Sequence, residues 1–250
     1  MIAIKTNNLT KKYGTGTAVD NVNLEINEGE LFALLGVNGA GKTTMIRMLS
    51  CLSKPTSGDA IIHGHNIKNE QKDIKQIIGI SPQDTAVAGN LTVQENLEFM
   101  AGICCESDTM KNDNDKTSGF SVSERVENII RQFDLDEVRN SRAKTLSGGW
   151  QRKLSIAMAL IGNPRILYLD EPTLGLDVLA RRELWKIIGT IKKNTTIILT
   201  THYMEEAETL ADRIAVMVSG RIIAVGTLEE LETETGKKGL EEVFVSLVEK

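Results

Sequence analysis

Nine consecutive residues, Gly36-Val37-Asn38-Gly39-Ala40-Gly41-Lys42-Thr43-Thr44, follow directly on the apolar run Leu31-Phe32-Ala33-Leu34-Leu35. A strand, a glycine loop and a helix start in that order make a phosphate cradle, the G-x-x-x-x-G-K-[ST] pattern in the structural context it requires. The glycines let successive backbone N–H groups turn inward around a polyphosphate. The positive end of the helix expected from Lys42 to about Leu52 adds to the attraction. Lys42 is placed to reach the β- and γ-phosphates, and the Thr43 hydroxyl to ligate a Mg²⁺ that bridges them. A tight turn alone would account for Gly36, Gly39 and Gly41, but for neither the lysine nor the hydroxyl. Every residue of the stretch except Val37 is therefore a candidate nucleotide contact.

A chain of 250 residues accommodates one large α/β domain with a small lobe attached. Its net charge of −5, from 29 basic against 34 acidic residues, offers no overall basic field for nucleic acid or an anionic membrane, so no nucleic-acid partner is expected. Met1 leads straight into Ile2-Ala3-Ile4 without a targeting pattern, and no apolar run approaches bilayer length. The expected location is the cytoplasm. Cys51, Cys104 and Cys105 are odd in number and lack metal-ligand spacing, which reads as reduced thiols. With 3 histidines, a multi-histidine metal site is not expected.

Val22, Leu24 and Ile26 alternate with Asn23 and Glu25, as in a half-buried antiparallel strand. Lys54-Pro55-Thr56-Ser57-Gly58 breaks the chain after the first helix, Asp59 to Ile67 reads as a strand and turn, and Ile77-Ile78-Gly79-Ile80 as a short strand. His63 and His65 read as surface turn residues. From about Asp84 to Thr145 the character is helical. Thr92-Val93-Gln94-Glu95 and Ser121-Val122-Ser123-Glu124 are capping boxes, and Glu106 to Gly119, polar and without periodicity, reads as a mobile loop dispensable for catalysis. Ile166-Leu167-Tyr168-Leu169, Thr196-Ile197-Ile198-Leu199 and Ile214-Ala215-Val216-Met217-Val218 suit central parallel strands. Ser219-Gly220 makes a turn into Arg221-Ile222-Ile223-Ala224-Val225, and Thr227-Leu228-Glu229-Glu230 caps a terminal helical tail.

Leu167-Tyr168-Leu169 delivers Asp170 at the edge of a buried strand, where a carboxylate can hold the Mg²⁺ hydration shell. Glu171 follows, at a position that suits polarising the water that attacks the γ-phosphate. At Leu146-Ser147-Gly148-Gly149-Trp150-Gln151 the chain resembles the ATP-binding subunit of an ABC transporter, whose signature is Leu-Ser-Gly-Gly-Gln. A serine hydroxyl and glycine N–H groups at a helix start form an anion site. Since the family forms head-to-tail dimers, the resemblance implies that Ser147, Gly148 and Gly149 grip ATP held by the other subunit's P-loop. It further implies that Tyr13 stacks on adenine, that Gln83 touches Mg²⁺ and the attacking water, that Asp177 of Gly175-Leu176-Asp177 lies across the dimer, and that His202 contacts the γ-phosphate.

The resemblance runs from roughly Ile4 to Leu231 and implies an α/β fold: a P-loop ATPase core of the ABC type, with an N-terminal antiparallel β subdomain and an inserted α-helical subdomain at about 84–145. The ATP-binding domain is expected over 1–235, followed by a helical tail over 236–250. The implied function is MgATP-driven dimerisation and hydrolysis that power a separate integral membrane permease, with the subunit peripheral on the cytoplasmic face. The ATP-binding partner is a second copy or a related chain. Trp150 replaces the usual signature glutamine, and Gly175 stands where many members carry serine. Glu171-Pro172-Thr173-Leu174-Gly175-Leu176-Asp177, Thr201-His202-Tyr203-Met204-Glu205-Glu206-Ala207-Glu208 and Gly220-Arg221-Ile222-Ile223-Ala224 resemble the ABC-2 exporter branch. Two rivals are a soluble ABC ATPase clamping DNA or ribosomes, which usually adds a long coiled coil or a second ATPase domain, and a GTPase switch, which needs an Asn-Lys-x-Asp motif. The sequence has none of these features.

Overall fold

The computed structural model of the protein describes residues 1–109, 121–192 and 194–249. β1 (Ile2–Tyr13) and β2 (Gly16–Asn27) form an antiparallel hairpin, and in β2 the alternation is realised, with Val22, Leu24 and Ile26 buried and Asn23 and Glu25 exposed. β3 (Leu31–Leu35) feeds the P-loop and α1 (Lys42–Leu49). β4 (Ser57–Ile62) and β5 (His65–Asn66) complete a sheet of order β2-β1-β4-β5. α1 stops earlier than expected because Cys51 takes a left-handed φ of 58°, letting the Cys51 and Leu52 N–H groups turn back onto the Met48 and Arg47 carbonyls.

A further helix, α2 (Gln71–Ile77), precedes β6 (Ile78–Ser81), so Ile77 ends a helix rather than opening a strand. The buried Ile74 anchors this single-faced turn, a signal too short to stand out in the sequence. α3 (Val93–Thr109) and α4 (Val122–Gln132) both begin at the expected capping boxes, the Thr92 and Glu95 side chains bonding reciprocally, as do Ser121 and Glu124. The backbone over Glu106–Thr109 continues α3 instead of looping. The remainder of the expected loop lies outside the described residues. Short 3₁₀ turns at Asp136–Val138 and Ala143–Thr145 lead to α5 (Gly148–Leu160).

β7 (Ile166–Asp170), α6 (Val178–Ile191), β8 (Thr196–Thr201), α7 (Met204–Leu210), β9 (Arg213–Val218) and β10 (Arg221–Gly226) complete a second sheet of order β10-β9-β3-β8-β7-β6. It is parallel from β9 to β6, with β10 antiparallel on its edge. Its apolar runs are continuous because both faces are covered. Ile166, Tyr168, Phe32, Leu34 and Ile198 enter a core shared with α1 and the first sheet, whereas Leu167, Leu169, Ile197 and Leu199 enter the core beneath α3 to α6. α8 (Leu228–Thr235) and α9 (Leu240–Val248) pack Leu231, Leu240, Val243 and Phe244 against Ala33, Leu35 and Val216.

His63 is not a surface residue. Its side chain is 10% exposed and its Nδ1 lies 3.3 Å from Glu28, while burial pulls its pKa below the ordinary histidine value against the opposing Glu28 carboxylate.

β6 lies so close to α5 that a Cβ built on Gly79 would sit 2.2 Å from the Ala159 carbonyl oxygen. Gly79→Ala should therefore destabilise the protein by about 1–3 kcal/mol through overpacking. Urea unfolding checks this, and an unchanged midpoint would refute the tight apposition of β6 and α5.

Candidate active site

The C-terminal ends of four neighbouring strands converge on one cleft of about 390 Å³. This is where parallel α/β sheets bind ligands. The end of β3 supplies the P-loop, β8 supplies Thr200 and His202, β7 supplies Asp170 and Glu171, and β6 leads to Gln83. The P-loop needs glycine at its closing turn. Gly41 has a φ of 108°, and a Cβ there would lie 2.2 Å from the Ala18 carbonyl oxygen. Asn38 through Thr44 line the cleft together with Gln83, Glu171 and His202.

Lys42 is 5% exposed, and its Nζ bonds the Gly36 carbonyl at 2.7 Å and the Val37 carbonyl at 3.3 Å and pairs with Glu171 Oε1 at 3.0 Å. The other Glu171 oxygen accepts from His202 Nδ1 at 2.6 Å. A carboxylate only accepts, so Nδ1 carries the proton there and Nε2 is the nitrogen left for a ligand. Glu171 takes a left-handed φ of 49°, held by two bonds from its N–H to the Thr200 carbonyl and hydroxyl at 3.1 and 3.0 Å. Asp170 Oδ1 accepts from Thr43 Oγ1 at 3.1 Å and from Thr200 Oγ1 at 2.5 Å. Thr43, Asp170 and Gln83 present hydroxyl, carboxylate and amide oxygens, a hard donor set that fits Mg²⁺.

Other expected residues stand apart. Ser147, Gly148, Gly149, Asp177 and Tyr13 are not among the cleft's lining residues, nor are Gly36 and Asp170, which meet it through their bonds to Lys42 and Thr43. Ser147 is the exposed N-cap residue of α5, yet its hydroxyl makes no capping bond. Asp177 caps α6, accepting from the Leu179 and Ala180 N–H groups. Tyr13 is 52% exposed at the end of β1. Trp150 packs on the large core with Lys153 Nζ 4.5 Å from its ring, and Gln151 turns back to donate to the Ala143 and Leu146 carbonyls.

Two contributors are absent from the sequence reading. Thr200 fixes the position of Asp170, and Arg152, 4% exposed on α5, donates to the carbonyls of Pro82 and Gln83 at 2.7 and 2.6 Å and to that of Glu171 at 3.5 Å. Flanked by Gln151 and Lys153, Arg152 carries no signal in the sequence that sets it apart.

A lysine-bearing phosphate cradle, facing an acidic pair and a histidine on adjacent strand ends, defines a P-loop nucleoside triphosphatase. The ABC transporter family profile matches residues 19–174. The daunorubicin/doxorubicin resistance ATP-binding protein DrrA of Streptomyces peucetius is 39% identical over 95% of this chain and 69% of its own length. The human phospholipid-transporting ATPase ABCA3 is 40% identical over 93% of this chain, which spans only 13% of that protein. Among solved structures, an ATP-binding subunit of an ABC transporter superposes with a TM-score of 0.82 at 26% identity, covering 98% of this chain and 99% of that one. The ATP-binding cassette MJ0796, a dimer in a post-hydrolysis state bound to ADP and Pi, gives a TM-score of 0.76 at 29% identity over 90% of this chain and 98% of that one. The chain belongs to the ABC transporter family, on its ABC-2 type exporter branch. It is an ATP-hydrolysing subunit that powers transport, which disfavours both the DNA or ribosome clamp and the GTPase switch.

Behind the cleft, Glu206 of α7 is wholly buried and accepts from Trp185 Nε1 at 3.1 Å. Burial pushes its carboxyl above the ordinary value of 4.5, with the Glu171 charge acting the same way and the Trp185 donor opposing. The folded state thus binds this proton more tightly than the unfolded chain does. Stability from this group is fully present below the ordinary carboxyl value and is lost as pH rises through the raised folded pKa. Glu206→Gln keeps an acceptor for Trp185 without the buried charge. The variant should match wild-type thermal stability near about pH 4 and exceed it increasingly toward alkaline pH. Parallel melting curves across pH are the check, and a gap independent of pH would contradict it.

Proposed function

We propose that the subunit closes as a dimer on two MgATP, each held between the P-loop of one chain and the Ser147-Gly148-Gly149 turn of the other, and that hydrolysis releases the closed state. The partner is a second copy or a related chain. The observation that carries this reading is the Lys42–Glu171–His202 array, with each Glu171 oxygen already paired. An incoming γ-phosphate competes with Glu171 for Lys42 and leaves one carboxylate oxygen to polarise the attacking water. Thr43, Asp170 and Gln83 would hold Mg²⁺, which supplies charge neutralisation at the phosphates. His202 Nε2 meets the γ-phosphate, Asn38 through Thr44 cradle the phosphate chain, Asp177 lies across the dimer, and Tyr13 stacks on the adenine. The protein forms no covalent bond to phosphate; it positions groups and offsets charge.

The names of the drug-resistance and lipid-transport relatives support export as the direction of work. Among the described residues no helix is long and apolar enough to cross a membrane. As in the family, the subunit would sit on the cytoplasmic face of a separate permease. A groove of about 690 Å³ between the sheet and the helical segment suits that partner, with Leu52, Met100 and Ile103 offering apolar surface and Lys72 and Lys75 on its wall. Ile103→Glu should abolish co-purification with the permease while leaving ATP hydrolysis by the free subunit unchanged. Retained co-purification would remove the groove from the docking model.

Glu171→Gln should bind MgATP but hydrolyse it at least about a hundredfold more slowly, since general-base catalysis supplies factors of that order. Size-exclusion chromatography with MgATP should show a trapped dimer. In that background, labelled Lys42→Ala and Ser147→Arg chains should each self-associate poorly. Mixed together, they should associate through the one intact shared site. No gain on mixing would remove the support for shared sites, and wild-type turnover in Glu171→Gln would remove the role of Glu171.

A further inference from the structure

Among the described residues, the His202 side chain hydrogen-bonds through Nδ1 to Glu171, and it is 27% exposed. One hydrogen bond leaves an imidazole free to rock about that contact. The Tyr203 ring supplies the missing restraint, its centroid 4.1 Å from that of His202 at an interplanar angle of 39°. Tyr203 is held in turn. Its N–H bonds Thr201 Oγ1 at 2.9 Å, and the Arg181 guanidinium carbon lies 4.6 Å from its ring centroid, inside the range of a cation–π contact. Among the described residues Arg181 Nε is buried without a hydrogen-bond partner, and Nη1 lies 3.9 Å from Glu205, so the ring face is a main contact of this guanidinium.

Arg181 lies on the first turn of α6, where its N–H bonds the Asp177 carbonyl at 3.0 Å. One turn further along the same helix, Trp185 donates to Glu206, three residues after Tyr203. Arg181 and Trp185, spaced i and i+4, therefore form one face of α6 against the segment that carries His202.

We propose that Tyr203 is a positioning residue for ATP hydrolysis, packing the His202 imidazole into place beside Glu171, and that Arg181 fixes Tyr203 and thereby ties the histidine to the start of α6. The inference rests on the reading of His202 as the γ-phosphate contact. A ring that only fills surface space would be replaceable by any apolar side chain. A positioning ring is replaceable only by another ring.

Tyr203→Leu, Tyr203→Phe, Arg181→Gln and His202→Ala should be compared in steady-state MgATP hydrolysis and in histidine ring-proton NMR spectra, where the chain has 3 histidines to assign. Tyr203→Leu should lower kcat about tenfold, ~1.4 kcal/mol on the barrier, with KM unchanged. The His202 ring protons should shift downfield as the tyrosine ring current is lost. Tyr203→Phe should restore both. Arg181→Gln should lower kcat by less, and the Arg181→Gln, Tyr203→Leu double variant should be no slower than Tyr203→Leu alone. Wild-type kcat in Tyr203→Leu beside an impaired His202→Ala overturns the inference and leaves the reading of His202 standing. Wild-type turnover in His202→Ala overturns both. A Tyr203→Leu defect that appears in KM, with His202 resonances unmoved, assigns the ring a merely structural part and also overturns it. Arg181→Gln carries the test if Tyr203→Leu does not fold: wild-type kcat there is equally fatal.

Discussion

The ion pair between Lys42 and Glu171 joins two strand ends that are not neighbours. β8 lies between β3 and β7, so the pair spans it, and β8 fills the gap with Thr200 under Asp170 and His202 beside Glu171. Both charges are buried, and a buried pair is tolerable only when its remaining valences are met. Lys42 meets them with the Gly36 and Val37 carbonyls, and Glu171 with His202. The geometry depends on Glu171 leaving its strand with a left-handed φ, a strain of about 1–3 kcal/mol for a residue with a Cβ. The two bonds from its N–H to Thr200 hold that conformation. A polyphosphate entering the cradle thus exchanges one anion for another around a lysine that is already in place.

What was legible in the sequence is what is local. The P-loop, the Asp170–Glu171 pair and three capping boxes each occupy a few consecutive residues whose chemistry depends little on distant chain, and each appears where expected. The parallel strands were legible because burial on both faces leaves no polar alternation to confuse them. Thr200 and Arg152 were not, since their roles exist only once β8 sits beside β7 and α5 crosses the end of β6. α2 was missed because seven residues with one deeply buried side chain carry almost no periodicity. His63 differs for a related reason: a two-residue turn looks exposed until the fold brings Glu28, the residue after β2, to its ring.

The Ser147 hydroxyl and the exposed Val178 and Leu179 side chains present the opposite situation, groups left facing outward from the chain. Ser147 begins a helix but leaves its hydroxyl out of the cap, and Val178 and Leu179 are 60% and 72% exposed directly after Asp177. An N-terminal helix turn with free donors attracts an anion. Two large aliphatic side chains beside it favour cover by protein. Gly175, with a φ of 76°, turns the chain toward this face in a conformation that the serine common in the family would adopt only with strain. Its departure from the family pattern is therefore tied to backbone shape.

Arg152 brings these two halves of the molecule together. Its guanidinium is a rigid fork, and here it grips carbonyls on both sides of Gln83 and at Glu171 while sitting on the helix that begins with the signature turn. Burial pulls its pKa down, and the carboxylates of Asp170 and Asp84 oppose that pull. An arginine in this environment cannot follow the signature helix without also moving the Gln83 backbone, because detaching from those carbonyls would leave a buried charge unsatisfied. Under the shared-site reading, contact of Ser147 with a nucleotide on another chain is therefore mechanically joined to the placement of Gln83 in its own cleft.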